Sequence, residues 1–187
     1  MGSVQCVAMR ALKEIFTLVI LAVLIVVPIR VFIAQPFVVE GLSMFPTFKD
    51  KDYLIIDELS YRFGNPERGD VVVFRYPGNP SIFYIKRIIG LPGEKVSIDH
   101  GIVTVTRADS TKVTLEEPYV VEEDATYTLD TTLGGDQYFV MGDNRPKSSD
   151  SRVWGPLPKE DIIGRAYFRV YPVAHAGVLP GSVELSQ

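Results

Sequence analysis

The chain offers very little thiol or imidazole chemistry. One cysteine and two histidines occur in its 187 residues. Cys6 alone cannot close an intramolecular disulfide, and without a Cys/His cluster there is no zinc-type site to read. Cys6 also precedes a long apolar run with no histidine nearby, so a thiol nucleophile activated by imidazole is not indicated. Basic charge is not in excess: the formal net charge is −4 at pH 7, which argues against nucleic acid as a partner. Repeats and low-complexity tracts are absent, and no stretch after residue 36 shows helical periodicity. The length allows one membrane segment and one domain of ordinary size.

What the chain does have is a long apolar run near its start. Residues 15–29 are uncharged and dominated by Leu and β-branched side chains, Arg30 interrupts, and residues 31–39 are again uncharged. Fifteen helical residues reach only about 22 Å, against the ~30 Å of a bilayer core. A spanning helix must therefore continue to about residue 33 or 34 and carry Arg30 near its end, where the guanidinium snorkels to the headgroups. Pro28 kinks but need not break a lipid-embedded helix. A cleaved signal peptide is the competing reading, but residues 30–36 contain no small-x-small cleavage site. A buried core helix is the other alternative. Arg10 and Lys13 ahead of the run favour a cytoplasmic N-terminus, a weak preference because Arg30, Lys49 and Lys51 follow on the other side. The expected organisation is a cytoplasmic segment over 1–14, a transmembrane anchor over 15–34, a catalytic domain over 35–174 and a tail over 175–187.

The body reads as β structure. Short runs rich in Val, Ile, Tyr and Phe are separated by Gly, Pro, Asn and Asp, which predicts strands over 53–56, 70–76, 82–89, 96–98, 102–106, 137–141 and 162–171. Pro77-Gly78-Asn79-Pro80 is the turn between two core strands. Residues 115–136 are acidic through Glu116, Glu117, Glu122, Glu123 and Asp124. They suggest a small acidic insertion, around 95–137, whose charges form a solvated face. The tail from Ala174 carries few structural signals and is expected to fray.

Three polar segments stand out against this background. The first is Gly41-Leu42-Ser43-Met44-Phe45-Pro46-Thr47; the second runs from Tyr84 through Lys86 and Arg87 to Glu94; the third runs from Gly142 to Arg152. Taken alone, Ser43 is an ordinary turn residue and Lys86 an ordinary lysine. Lys86 follows Ile82-Phe83-Tyr84-Ile85 in a predicted core strand, however, so either face would partly bury it, and buried lysine is rare. Neither His100 nor His175 falls in these segments, so a serine nucleophile would need lysine as its base. Asp143 and Asn144 lack the further oxygen ligands of an EF-hand-like metal loop.

Together the segments resemble the bacterial type I signal peptidase (leader peptidase) family. They match its Gly-x-Ser-Met-x-Pro-Thr, Lys-Arg-x-x-Gly-Leu-Pro-Gly-Glu/Asp and Gly-Asp-Asn-x-x-x-Ser-x-Asp-Ser-Arg boxes, in that order, and the likeness covers roughly residues 10 to 172. The resemblance implies a single N-terminal transmembrane helix followed by a mainly-β catalytic domain with antiparallel, partly barrel-like sheets. It implies Ser43 as nucleophile, Lys86 as general base and Ser148 as the hydroxyl that orients the amine. Asp150 with Arg152, and Asp143 with Arg87, are the implied structural ion pairs. Val39, Met44, Tyr84 and Ile85 are the implied walls of shallow pockets for small residues at P1 and P3. Some members have Ser two residues before the nucleophile, contributing to the oxyanion site. Here it is Gly41, which leaves the Ser43 N–H and a second backbone donor near Gly41. No cofactor or metal is called for. The implied activity is removal of signal peptides from exported pre-proteins at the plasma (inner) membrane, with the catalytic domain extracytoplasmic, the lipid bilayer as a partner and the secretion machinery as a possible one. Organellar inner-membrane peptidases and conjugation-type maturation peptidases share similar boxes, and a non-catalytic membrane-tethered β module is the alternative of another class.

The chemistry explains the residue types. A serine hydroxyl is nearly inert until a base takes its proton, and neutral lysine can do this while ammonium cannot. At an ordinary pKa near 10.4, about one lysine in 2,500 is neutral at pH 7. Apolar neighbours that desolvate the amine shift that balance. Arginine cannot substitute, because it does not deprotonate in proteins.

Overall fold

The structure is a computed structural model that describes residues 13–24, 34–122, 124–183 and 185. Residues 13–24 form a helix whose side chains are exposed, with Ile15, Phe16 and Leu18 each more than half accessible. Among the described residues no helix is long and apolar enough to cross a membrane. Residues 25–33 of the expected anchor, and Cys6, lie outside the described residues. The expected end of the anchor at residue 34 is displaced by a strand: Ala34 opens β1 (Ala34–Val38).

Among the described residues the body has twelve strands, all pairing antiparallel. After β1 come β2 (Tyr53–Asp57), β3 (Val71–Tyr76), β4 (Asn79–Gly90), β5 (Lys95–Asp99) and β6 (Ile102–Thr106). Next are β7 (Lys112–Thr114), β8 (Thr128–Thr132), β9 (Gln137–Met141), β10 (Leu157–Pro158), β11 (Ile162–Tyr171) and β12 (Gly177–Val178). An eight-stranded sheet runs β1-β2-β11-β3-β4-β9-β10 with β12 added to β11, and a second sheet runs β7-β6-β5-β8. The barrel-like closure expected from the resemblance is absent among the described residues: each order ends on strands that do not pair with one another.

The β3–β4 hairpin forms where β-branched and aromatic residues flank a Pro77-Gly78 turn, two residues shorter than the expected turn over 77–80, with Val72 opposite Lys86 and Val73 opposite Ile85. Val71 to Phe74 are all buried, because both faces of this central strand carry packing. One core gathers Met44, Phe48, Leu54 and Ile56, another gathers Phe74, Ile88, Tyr138 and Leu157, and the second sheet closes a third around Val96, Val103 and Phe139. The unanticipated strands β7, β8, β10 and β12 are short or Thr-rich, so their sequences carry little apolar alternation.

Two expectations for the later chain are corrected. The acidic segment is not only a solvated face: Glu117 pairs with Arg145 at 2.6 Å with both side chains buried, and the Tyr119 ring lies 3.9 Å from the Arg87 guanidinium carbon. Nor does the tail fray where it is described. Val178 pairs with Phe168, Gly181 O accepts from Arg87 Nη1, and Leu185 is 2% exposed in the second-sheet core.

Candidate active site

Ser43 sits in the turn between β1 and β2. Hydrogen bonds from Phe45 N to Leu42 O and from Phe48 N to Met44 O tighten that turn, and the buried Met44 and Phe48 side chains nail it to the core. Lys86 comes from β4 and is 4% exposed. Its Nζ donates to Ser43 Oγ at 2.8 Å and to Ile85 O at 2.9 Å, and lies 5.1 Å from the centre of the Tyr84 ring. Burial lowers the Lys86 pKa to about 8, with Asp150 and Asp143 opposing that shift.

Arg87 is the next residue along β4, so its side chain leaves by the opposite face. It is fully buried and grips Asp143 by two hydrogen bonds, 2.9 Å from Nε and 2.6 Å from Nη2. Gly69 O takes a third bond from Nη1 at 2.9 Å. Asp143 also accepts from Thr47 Oγ1 of the serine turn, and Asn144 N donates to Ser43 O at 3.0 Å. The third segment is thus tied to the first through both backbone and side chains.

Gly142 marks the tightest point of this junction. A Cβ there would collide with Ser148 Oγ and lie 2.5 Å from Ser43 O. The neighbouring loop is held by Asp150, which accepts from Gly142 N at 3.0 Å and from Arg152 Nε at 2.8 Å, while Ser151 Oγ accepts from Val140 N. The Ser148 hydroxyl is buried and finds no hydrogen-bond partner among the described residues. Lys86 therefore makes its second bond to Ile85 O rather than to Ser148.

A cleft of about 560 Å³ opens over Ser43 and Lys86. Phe37, Val38 and Val39 form one wall and residues 81–85 the other. Val39, Tyr84 and Ile85 are among the residues that line it. Met44 is not: it is 1% exposed and packs in the core rather than in the cleft lining. Gly41 contributes to the rim, but its own N–H is engaged by Asp50 Oδ1 at 2.8 Å, so it is not free to serve an oxyanion. Phe83, Leu54, Lys147 and Ser149 also border the cleft, and the motif boxes gave no sign of them. For Phe83 the usable signal was its place on the same strand as Lys86.

The arrangement joins a hydroxyl to a desolvated amine at the base of an apolar cleft, which is the equipment of a serine hydrolase without histidine. Comparison with known proteins decides the family. Residues 12–171 match the family described as "Signal peptidase, peptidase S26". The chain belongs to this signal peptidase family. The peptidase is 38% identical to "Probable signal peptidase I-2" of Synechocystis over 91% of this chain and 78% of the relative. It is 38% identical to signal peptidase I of Leptolyngbya laminosa over 85% of this chain and 79% of the relative. It is 34% identical to the chloroplastic thylakoidal processing peptidase 1 of Arabidopsis thaliana over 86% of this chain and 47% of the relative. As a member, the peptidase is a serine endopeptidase that removes signal peptides.

Proposed function

We propose that Ser43 is the nucleophile of this peptidase and Lys86 its general base. The observation that carries the reading is the 2.8 Å Lys86 Nζ–Ser43 Oγ hydrogen bond made by a lysine that is 4% exposed. When the amine is neutral, the proton moves along that line from Ser43 to Lys86 as Oγ attacks the scissile carbonyl. The ammonium then protonates the leaving amine, and water, activated by the same lysine, releases the acyl group. The Ser43 N–H is one proposed oxyanion donor. The second is a backbone donor other than the Gly41 N–H. Ser148, whose buried hydroxyl is otherwise unpaired, is proposed to orient the amine during the cycle. Asp143–Arg87 and Asp150–Arg152 hold the loop that carries it.

The proposed substrates are exported pre-proteins bearing signal peptides, cut after small residues at P1 and P3. Among the described residues β1 pairs only with β2, and β4 meets β9 only from Arg87 onward. Two free strand edges therefore flank the cleft, which suits an extended peptide adding between them. Val39, Tyr84 and Ile85 limit the depth available to side chains there. The exposed helix over 13–24 supports a membrane anchor that starts at about residue 15 and ends before β1, with residues 1–14 cytoplasmic and the catalytic domain that follows extracytoplasmic at the plasma (inner) membrane. Anchoring both reactants in one bilayer raises their effective concentration, and proximity to the secretion machinery would result.

The test uses the purified full-length peptidase and a pre-protein with Ala at P1 and P3. Ser43→Ala is expected to abolish cleavage while retaining the wild-type melting profile, Lys86→Arg is expected to abolish cleavage as well, and Phe at P1 is expected to block it. Substantial activity in either variant overturns the assignment.

A further inference from the structure

We propose that Lys147 selects substrates carrying a carboxylate side chain at P2′, the second residue of the chain released by the cut. The inference rests on the proposed function, in which Ser43 attacks the bond after P1. It deepens that reading by naming what the enzyme recognises beyond the bond.

The sheet order fixes which end of the cleft is which. β1, β2, β11, β3 and β4 pair antiparallel in succession, so β1 and β4 run in the same direction. Both lead toward the Ser43–Lys86 pair, and Phe37 and Ser81 stand toward the other end of the cleft. Val39, Tyr84 and Ile85, which limit the depth for P1 and P3, lie on the stretch leading up to the pair. Residues before the scissile bond therefore fill the cleft, and residues after it leave past Ser43. The loop after β9 stands at that exit. Asn144 N donates to Ser43 O at 3.0 Å, and Lys147 N donates to Asn144 O at 3.1 Å. Lys147 and Ser149 are the residues of this loop that border the cleft, and both are exposed.

The backbone beneath Lys147 is fixed. Arg145–Lys147 make one 3₁₀ turn with Pro146 at its centre, where the ring sets φ. Arg145 is 2% exposed and donates to Gly142 O at 3.1 Å and to Glu117 at 2.6 Å. The turn is anchored from below, and the Lys147 side chain is presented at the rim. Its charge is also unspent. The charged residues lining the cleft, among those described, are Glu40, Lys86 and Lys147. Glu40 has Lys51 at 3.3 Å, and Lys86 is buried against Ser43. Asp143 and Asp150 are each held by an arginine. Lys147 pairs with no carboxylate among the described residues.

Alternation along an extended peptide chooses the subsite. P1 and P3 face the enzyme, so P2′ shares their side and P1′ points away. At about 3.4 Å per residue, P2′ lies roughly 7 Å past the scissile bond, within reach of a lysine one turn from the residue bonded to Ser43. A carboxylate there pairs with the Lys147 ammonium, and the Ser149 hydroxyl is a second donor beside it. An amide at P2′ forfeits the charge, and a second cation is repelled.

The experiment offers the full-length enzyme pre-proteins with Ala at P1 and P3 and Asp, Asn or Lys at P2′, at low ionic strength. kcat/KM is expected to be about threefold higher for Asp than for Asn, the scale of an exposed ion pair, and lowest for Lys. The Asp/Asn ratio should shrink toward unity as salt is raised. It should vanish in Lys147→Gln, persist in Lys147→Arg and invert in Lys147→Glu. Lys112→Gln, an equal change of charge on the second sheet, should keep the wild-type ratio. If wild-type enzyme cuts all three substrates equally, the selectivity is wrong while the functional reading stands. If it cuts none, both fall. A ratio that survives in Lys147→Gln, or is lost equally in Lys112→Gln, overturns the assignment to Lys147. A preference that follows Asp at P1′ instead overturns the subsite.

Discussion

Lys86 carries opposite consequences for rate and stability. Its folded pKa of about 8 lies below the ordinary 10.5 because burial disfavours the charged amine. Below pH 8 both folded and unfolded chains hold the proton, and the fold bears the full cost of burying it. Between pH 8 and 10.5 the folded chain releases its proton first, so this penalty fades and the contribution to stability rises with pH. The gap corresponds to about 3 kcal/mol at ~1.4 kcal/mol per pH unit. Lys86→Met should therefore stabilise the domain by up to ~3 kcal/mol at pH 7 and by much less near pH 10.5. Urea unfolding at the two pH values checks this, and equal gains would show that desolvation is not the cause. Wild-type kcat/KM should rise through the same pH near 8, since only the neutral amine accepts a proton.

The element that sets the site's precision is the loop after β9. It meets the serine turn at Gly142, where neither partner has room to withdraw: Ser148 is fixed by the Asp150–Arg152 pair behind it, and Ser43 O is bound by Asn144 N. Gly142→Ala should push these apart by a fraction of an ångström and cost on the order of 100-fold in kcat/KM, as misplacement of reacting groups does. The strands on either side are separately paired, so the melting temperature should fall far less than activity. Calorimetry and pre-protein cleavage on one preparation would separate the two. A variant retaining near-wild-type kcat/KM would show that the loop yields at this contact.

For the molecule as a whole, the proposed orientation joins the anchor to the chemistry. Arg10 and Lys13 motivate a cytoplasmic start, which places Cys6, the lone thiol, on the side opposite Ser43. In intact cells a membrane-impermeant maleimide should leave Cys6 unlabelled until the membrane is permeabilised. Efficient labelling of intact cells would reverse the topology and place the cleft in the cytoplasm.

Local chemistry was legible in the chain itself. The Pro77-Gly78 pair and its apolar flanks specified the β3–β4 hairpin, because turn preference and side-chain alternation act over a few residues, although Asn79 and Pro80, read as turn residues, already belong to β4. The three polar boxes likewise named Ser43, Lys86 and the Asp143–Arg152 loop. Packing across the fold decided the rest. Ser43 and Lys86 stand 43 positions apart, and only the core beneath the serine turn brings them to 2.8 Å. Nothing local distinguishes Met44, buried in the core, from a pocket wall, or reveals that Asp50 takes the Gly41 N–H. Glu117 reads as a solvated charge until Arg145 is folded against it, and the tail, with few structural signals, reads as loose until Gly181 meets Arg87. Such partners are chosen by distance in three dimensions, where burial makes an unpaired charge costly, and sequence spacing holds no record of that.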